Sequence, residues 1–459
     1  MNTKSQIRRR RLRRGIPLLL LSLLFGLSAT LRAQEPPPVL VLVSVDGMKP
    51  EYVTHAAEHG AKVPNLQKMM GEGMYAEGVQ GVVPTVTYPS HTTLITGVWP
   101  TKHGIYANTL FDPLDKGKQA WYWYAEDLKV PTLYTAAMAA GRTTATIQWP
   151  VTVGAKVTWD IPEIWRAGDE NDIKLVRATA TPGLLDEAEK EIGVYRGGID
   201  AAIEADEVRE KYAEWILEKK RPGLLLLHLL GLDHIEHETG PFSPESLEVI
   251  GRQDAAIGKL RATAERLFPG RVIFCVTSDH GFVKVEKQIN FGPAFVAAGL
   301  ITLDAKEKVK DWKAFPWATG GSAAIVLKDP KDAETAEKVR ALLKKLASDP
   351  ADGIDRVLEA DELHARGGYP TASFFVGLKP GWKNGYGLTG PVTENIKVGG
   401  THGELNDLAE LRSSFFVVGA FVPKNKNLGV IDMRDIAPTL AKLAGLSLPT
   451  ADGKSLLSK

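Results

Sequence analysis

The chain has 459 residues, 44% hydrophobic and 24% charged, with a formal net charge of +1. That is a globular composition with material for a large core, and it excludes disordered and fibrous classes. No basic stripe with interleaved aromatics occurs, so the electrostatic footprint of a nucleic-acid binder is missing.

The first residues read as an address. A basic "MNTKSQIRRRRLRRG" is followed by the short apolar "IPLLLLSLLFGLSA" and by "TLRAQEPPP", with a small residue at Ala33. This is the plan of a secretory signal peptide over residues 1–33, and the apolar run is short for a membrane span. An uncleaved signal anchor is the alternative, because Leu31 fits the cleavage pattern poorly. The expected mature chain, 34–459, is periplasmic or secreted, with no stable membrane span. Its single cysteine, Cys275, cannot form an internal disulfide and lies in an apolar run that points to a buried thiol.

Four apolar runs end abruptly in Asp, Gly or His: "PVLVLVSVDGM", "RPGLLLLHLLGLDH", "GRVIFCVTSDHG" and "RSSFFVVGAFV". Runs without alternation are characteristic of strands buried on both faces of a parallel sheet. Helical patterns such as "DEVREKYAEWILEKK" and "DAETAEKVRALLKKLASD" separate them. The expected fold is therefore α/β, doubly wound and mostly parallel, with helices on both faces. Residues about 110–200 and 285–400 break the alternation and read as insertions. The final "DMRDIAPTLAKLAGL" predicts a closing helix, with Asp435 as its cap.

Ligands of such sheets bind at the carboxyl ends of the strands. There the sequence places Asp46, Asp233 with His237, and Asp279 with His280; His402 sits in the Gly-rich "GGTHGELND". Three carboxylates and three imidazoles suit two zinc ions or similar borderline metals. Asp233 and His237, four apart, would share one face of a helix. Singly, each of these residues is better read as a turn, cap or loop residue; together, at strand ends, they read as a site.

The segment "TVTYPSHTTLITG" supplies the hydroxyls that such a site could use as a nucleophile: Thr85, Thr87, Ser90, Thr92 and Thr93. Pro89 and the helical pattern after it put Thr87 at the start of a helix, where free N–H groups favour a phosphate.

Together these residues resemble the alkaline phosphatase superfamily, and within it the nucleotide pyrophosphatase/phosphodiesterase family. In that family "T-[FY]-P-x-H" carries the nucleophilic Thr, and an Asn 21 residues later binds a phosphoryl oxygen. "TYPSH" and Asn108 match, since 108 minus 87 is 21. The resemblance runs from about residue 38 to the C-terminus. It implies one zinc on Asp233, His237 and His402, and a second on Asp46, Asp279, His280 and the Thr87 oxygen. It implies a phosphothreonine intermediate and a small phosphodiester substrate, a nucleotide or a phospholipid-type head group. His91, His103 and His234 are read as supporting residues.

Three rivals can be weighed. The sulfatases of the superfamily need "C-x-P-S-R", which "TYPSH" replaces. Phosphomonoesterases add a Lys-x-Arg pair where this chain reads "TIQWPVT", Thr146 to Thr152, similar to the "W-P-G-S" of the diesterases. A non-catalytic binding protein would be expected to have lost a ligand, and none is missing. The chain departs from the family at His228, where nucleotide-cleaving members carry a base-stacking Tyr. Tyr88, with the aromatic-rich insert around Trp121, Trp123 and Trp149, is expected to supply the aromatic surface for the second ester substituent in its place.

Overall fold

The computed structural model describes residues 36–458, apart from 119, 167, 170 and 198–200. The expected signal peptide, 1–33, lies outside the described residues. Strands β1 (Val39–Val45), β2 (Met74–Tyr75), β3 (Thr144–Ile147), β4 (Trp159–Ile161), β5 (Leu224–Leu229), β6 (Val272–Thr277), β7 (Phe415–Gly419) and β8 (Lys426–Asn427) form one sheet. Their spatial order is β8-β2-β7-β6-β1-β5-β3-β4. The five strands from β6 to β4 are mutually parallel, and β7 runs antiparallel to β6 and β2.

The unalternating apolar runs have a direct cause. Val39, Val41, Val43 and Val45 of β1 enter one core, while Leu40 and Leu42 enter the other. Helices Ile203–Lys220 and Pro244–Leu267 cover the first face; Leu133–Ala139 and Ile436–Ala444 cover the second. With both faces covered, the strand positions are predominantly apolar, Ser44 near the end of β1 being the polar exception. Cys275 is buried on the second face, and burial raises its thiol well above the ordinary value.

The two irregular regions differ. The segment 110–200 contributes β3 and β4 to the main sheet, so only part of it lies outside the sheet. Within 285–400, strands Ala314–Ala318, Ser322–Leu327, Ile354–Glu359 and Phe374–Leu378 make a separate antiparallel sheet. It has its own core, including Ile325, Leu343 and Phe374. A third sheet pairs strand Val283–Ile289 with Gly381–Asn384 and Thr393–Thr401. Asp435 does precede the closing helix, but its side chain caps nothing there; Oδ1 accepts from the Lys454 N–H at 2.7 Å and pins the C-terminal segment.

Candidate active site

The expected Asp and His ligands lie just beyond strand ends or on the helix that leaves one. Asp46 follows β1, and its backbone N–H donates to Leu229 O of β5 at 2.9 Å. Asp279 and His280 follow β6. Asp233 and His237 sit one turn apart on the helix Gly231–Thr239 that leaves β5. His402 comes from far along the chain, and sheet register brings it in: Thr401 pairs with Val283, so His402 lands beside His280, their rings stacked at 3.6 Å. Two glycines make the turns possible. Gly47 has φ +75°, and a Cβ there would lie 2.9 Å from Glu236 Oε2. Gly403 has φ +100°, and a Cβ would lie 1.7 Å from Thr319 O.

The ligand atoms gather into two trios, Asp46/Asp279/His280 and Asp233/His237/His402, each with its atoms within 4.8 Å of one another. Their chemistry fits cations. His280, His237 and His402 each place Nδ1 against a backbone carbonyl, of Gly281, Gly400 and Thr85, at 3.2, 3.1 and 3.0 Å. A carbonyl only accepts, so Nδ1 carries the proton and the Nε2 lone pairs face inward. They face carboxylates: His280 Nε2 lies 3.2 Å from Asp46 Oδ1 and 3.1 Å from Asp279 Oδ2. His237 and His402 Nε2 both lie 3.5 Å from Asp233 Oδ1. Asp46 Oδ1, Asp233 Oδ1 and Asp279 Oδ2 are buried without a hydrogen-bond partner. Lone pairs facing lone pairs in a dry site repel, and a divalent cation between them removes the repulsion.

Proton affinities reflect the same frustration. Burial, with the charges of Asp279 and Asp233, pushes Asp46 well above the carboxylate range. Burial pushes Asp279 up to about 6. Burial, with neighbouring His402 and His237, holds His280 well below the ordinary imidazole value, and burial lowers His402 to about 4.

Thr87 opens the helix Thr87–Thr96, all of whose residues are buried. Its Oγ1 lies 3.5 Å from His280 Nε2. As a first-turn group its N–H has no intrahelical partner. Asn108 Oδ1 accepts from the Tyr88 N–H at 2.9 Å, which turns the Asn108 amide nitrogen away from the helix as a donor. Of the other hydroxyls, Thr85 donates to Glu404 O, Thr92 to Tyr88 O and Thr93 to Val98 O. Those three serve the backbone. His91 donates from Nδ1 to Thr87 O, at 2.9 Å. His103 bridges Thr93 Oγ1 and the Ile105 N–H, and His234 points outward to Glu238.

Of the four expected aromatic faces, Trp121 lines the cavity beside His237 and His402, whereas Tyr88, Trp123 and Trp149 are buried. Tyr88 is fully buried, with its hydroxyl donating to Glu163 Oε1 at 2.8 Å. Trp149 is fully buried and stands edge-on to His91, ring centroids 5.0 Å apart. Neither exposes a ring to a ligand, because Tyr88 is buried in one core of the sheet and Trp149 in the other. His228 is not a stacking residue either. It is buried on β5, with Nε2 3.0 Å from Asp46 Oδ2 and Nδ1 3.0 Å from Glu163 Oε2. Burial opposes its charge, yet the bonds to Asp46 and Glu163 outweigh this and raise its pKa. Reading by sequence missed this chain of Asp46, His228, Glu163 and Tyr88. A histidine inside "LLLLHLL" was a signal, since a buried imidazole needs partners; Glu163 in "DIPEIW" gave none.

A sequence model of the type I phosphodiesterase/nucleotide pyrophosphatase family matches residues 40–404. The chain belongs to this family. Human ectonucleotide pyrophosphatase/phosphodiesterase family member 5 is 23% identical over 434 residues, covering 93% of this chain and 79% of that protein. An uncharacterised pyrophosphatase/phosphodiesterase of Schizosaccharomyces pombe (strain 972) is 28% identical over 246 residues; the match spans 53% of this chain but only 44% of that relative. Among solved structures, human ectonucleotide pyrophosphatase/phosphodiesterase 5 superposes with a TM-score of 0.65 at 21% identity, over 91% of this chain and 97% of that one. The murine counterpart, an inactive variant in complex with AMP, gives the same TM-score and identity, over 91% and 98%. The fold is accordingly alkaline phosphatase-like, as in these type I phosphodiesterase relatives.

Proposed function

We propose that this protein is an exported two-metal phosphodiesterase or nucleotide pyrophosphatase that works through a phosphothreonine on Thr87. One observation carries the reading: the Thr87 hydroxyl lies at a helix start, 3.5 Å from His280 Nε2, beside two Asp/His trios whose lone pairs converge. Asp233, His237 and His402 would hold one zinc-like ion; Asp46, Asp279, His280 and the Thr87 oxygen would hold the other. Bound metal supplies positive charge that acidifies a hydroxyl and neutralises phosphoryl oxygens. Thr87 Oγ1 attacks phosphorus, the bond from phosphorus to the leaving oxygen breaks, and water then cleaves the phosphothreonine. Asn108 and the Thr87 N–H donate to the non-bridging oxygens. Export rests on the basic and apolar N-terminal pattern; no helix among the described residues is long and apolar enough to cross a membrane.

The substrate class follows from charge. The cavity beside the trios is lined by Asn108, Trp121, His237, Tyr386 and His402 among others, and by no lysine or arginine among the described residues. A diester monoanion needs no further cation, whereas a monoester dianion loses charge-assisted hydrogen bonds of about 1.5–3 kcal/mol each. A nucleotide ester is compatible with the AMP held by the murine neighbour. Metal-replete protein should cleave bis(p-nitrophenyl) phosphate at least ~10-fold more efficiently, by kcat/KM, than p-nitrophenyl phosphate. The reverse order would make it a monoesterase of the same superfamily.

A further inference from the structure

The catalytic cavity does not end at its histidines. Its volume is about 200 Å³, and two of its lining rings, Trp121 and Tyr386, also line a second chamber of about 450 Å³. Phe111 and Phe315 form further walls of that chamber, and among the described residues its only charged lining residues are Asp112 and Asp115. Among the described residues, no lysine, arginine or histidine lines it.

Trp121 is tied to the phosphate-binding side of the site. It lies on a hairpin opposite Asn108: Thr109 and Trp121 form an antiparallel bridge, and the Tyr122 N–H donates to Asn108 O at 3.0 Å. Tyr88 and Trp165 hold its ring in edge contacts, with centroids 5.2 and 4.7 Å away. Tyr386 arrives from the other side, just after the strand Gly381–Asn384, and is 79% exposed. An aromatic ring that exposed, at the border of a catalytic cavity, is surface available to a ligand.

We infer that Trp121 and Tyr386 flank the passage by which one ester substituent of the substrate enters the second chamber, and that the preferred substituent is flat, largely apolar and free of negative charge. This deepens the phosphodiesterase reading and rests on it. Rings on several walls favour a planar group, and the two aspartates repel an anion, so a polyphosphate tail is disfavoured in this chamber. Neither ring belongs to the nucleophile or the trios, so the pair sets specificity.

Calorimetry on metal-replete Thr87→Ala protein, which lacks the nucleophile, tests the inference without turnover of the probes. The probes are dimethyl phosphate, methyl phenyl phosphate and methyl 4-carboxyphenyl phosphate. Methyl phenyl phosphate should bind at least ~10-fold tighter than dimethyl phosphate, and the carboxylate should forfeit at least ~3-fold of that advantage. Tyr386→Ala should shrink the advantage to less than ~3-fold, and Tyr386→Phe should keep it. If Tyr386→Ala and Trp121→Ala both leave the advantage intact, or the carboxylate binds as tightly as the phenyl ester, the inference is overturned. Turnover of bis(p-nitrophenyl) phosphate is scored separately, on the wild-type protein. Aromatic preference without turnover defeats the diesterase reading and leaves the subsite standing. Turnover without aromatic preference defeats the subsite.

Discussion

The two trios carry similar ligands in opposite settings. Asp46, Asp279 and His280 are buried at the ends of adjacent central strands, β1 and β6. Behind them His228 and Glu163 hold Asp46 from inside the core. The Asp233 and His237 side chains are 19% and 42% exposed, on a short helix, and their third partner comes from the rim of the inserted region. The buried trio is thus part of the core, and its unmet lone pairs are a cost to folding. The open trio faces the cavity and can change partners with little effect on packing.

The largest expected effect lies between the trios. Thr87→Ala should lower kcat on a diester by at least ~10³-fold while metal content and Tm stay near wild type. If Thr87→Ala remains active and Ser90→Ala is dead, the nucleophile is misassigned.

Next comes the metal dependence of stability, which separates the trios directly. Chelation should lower the wild-type Tm, because a cation bound only by the folded state stabilises it by mass action. His237→Ala should retain most of that metal-dependent shift, and Asp279→Asn should lose most of it. Equal losses in the two variants, read by thermal unfolding with and without chelator, would erase the distinction drawn here.

A smaller effect is expected from the support behind the buried trio. His228→Phe should weaken the tighter bound metal by about 10–100-fold, the usual scale for an outer partner of a ligand. Elemental analysis after dialysis against graded chelator reads this out. Loss confined to the weaker metal would mean that His228 does not act through Asp46.

The smallest concerns burial without metal. Asp160 lies on β4, three strands from β1, with the hydroxyl of Thr146 donating to it. Burial raises its carboxyl from 3.8 to about 8. A folded pKa above the unfolded one means that its stabilising contribution is complete below the unfolded value and lost as pH rises through the folded value. Wild-type Tm should therefore fall from about pH 5 to about pH 9 more steeply than that of Asp160→Asn, by a few degrees. Parallel profiles would show that Asp160 contributes nothing to the pH dependence.

Much of this site was legible in the chain because its signals are local. A strand buried on both faces is mostly apolar, so the charged residue beyond its end stands out, as Asp46 and Asp279 do. A four-residue spacing on a helix brings Asp233 and His237 to one face whatever lies around them. The direction of a ring, by contrast, is decided by what packs over it. Tyr88 and Trp149 face inward, each into a different hydrophobic core. His228 meets Glu163, and Trp121 meets Tyr386 across a cavity, only because elements distant in the chain are brought together. Those meetings depend on strand order and register, which no stretch of sequence encodes alone, so the clustered acidic and imidazole residues and the aromatic insert could be read from the residues, but not the partners that hold them or the ring that faces Trp121.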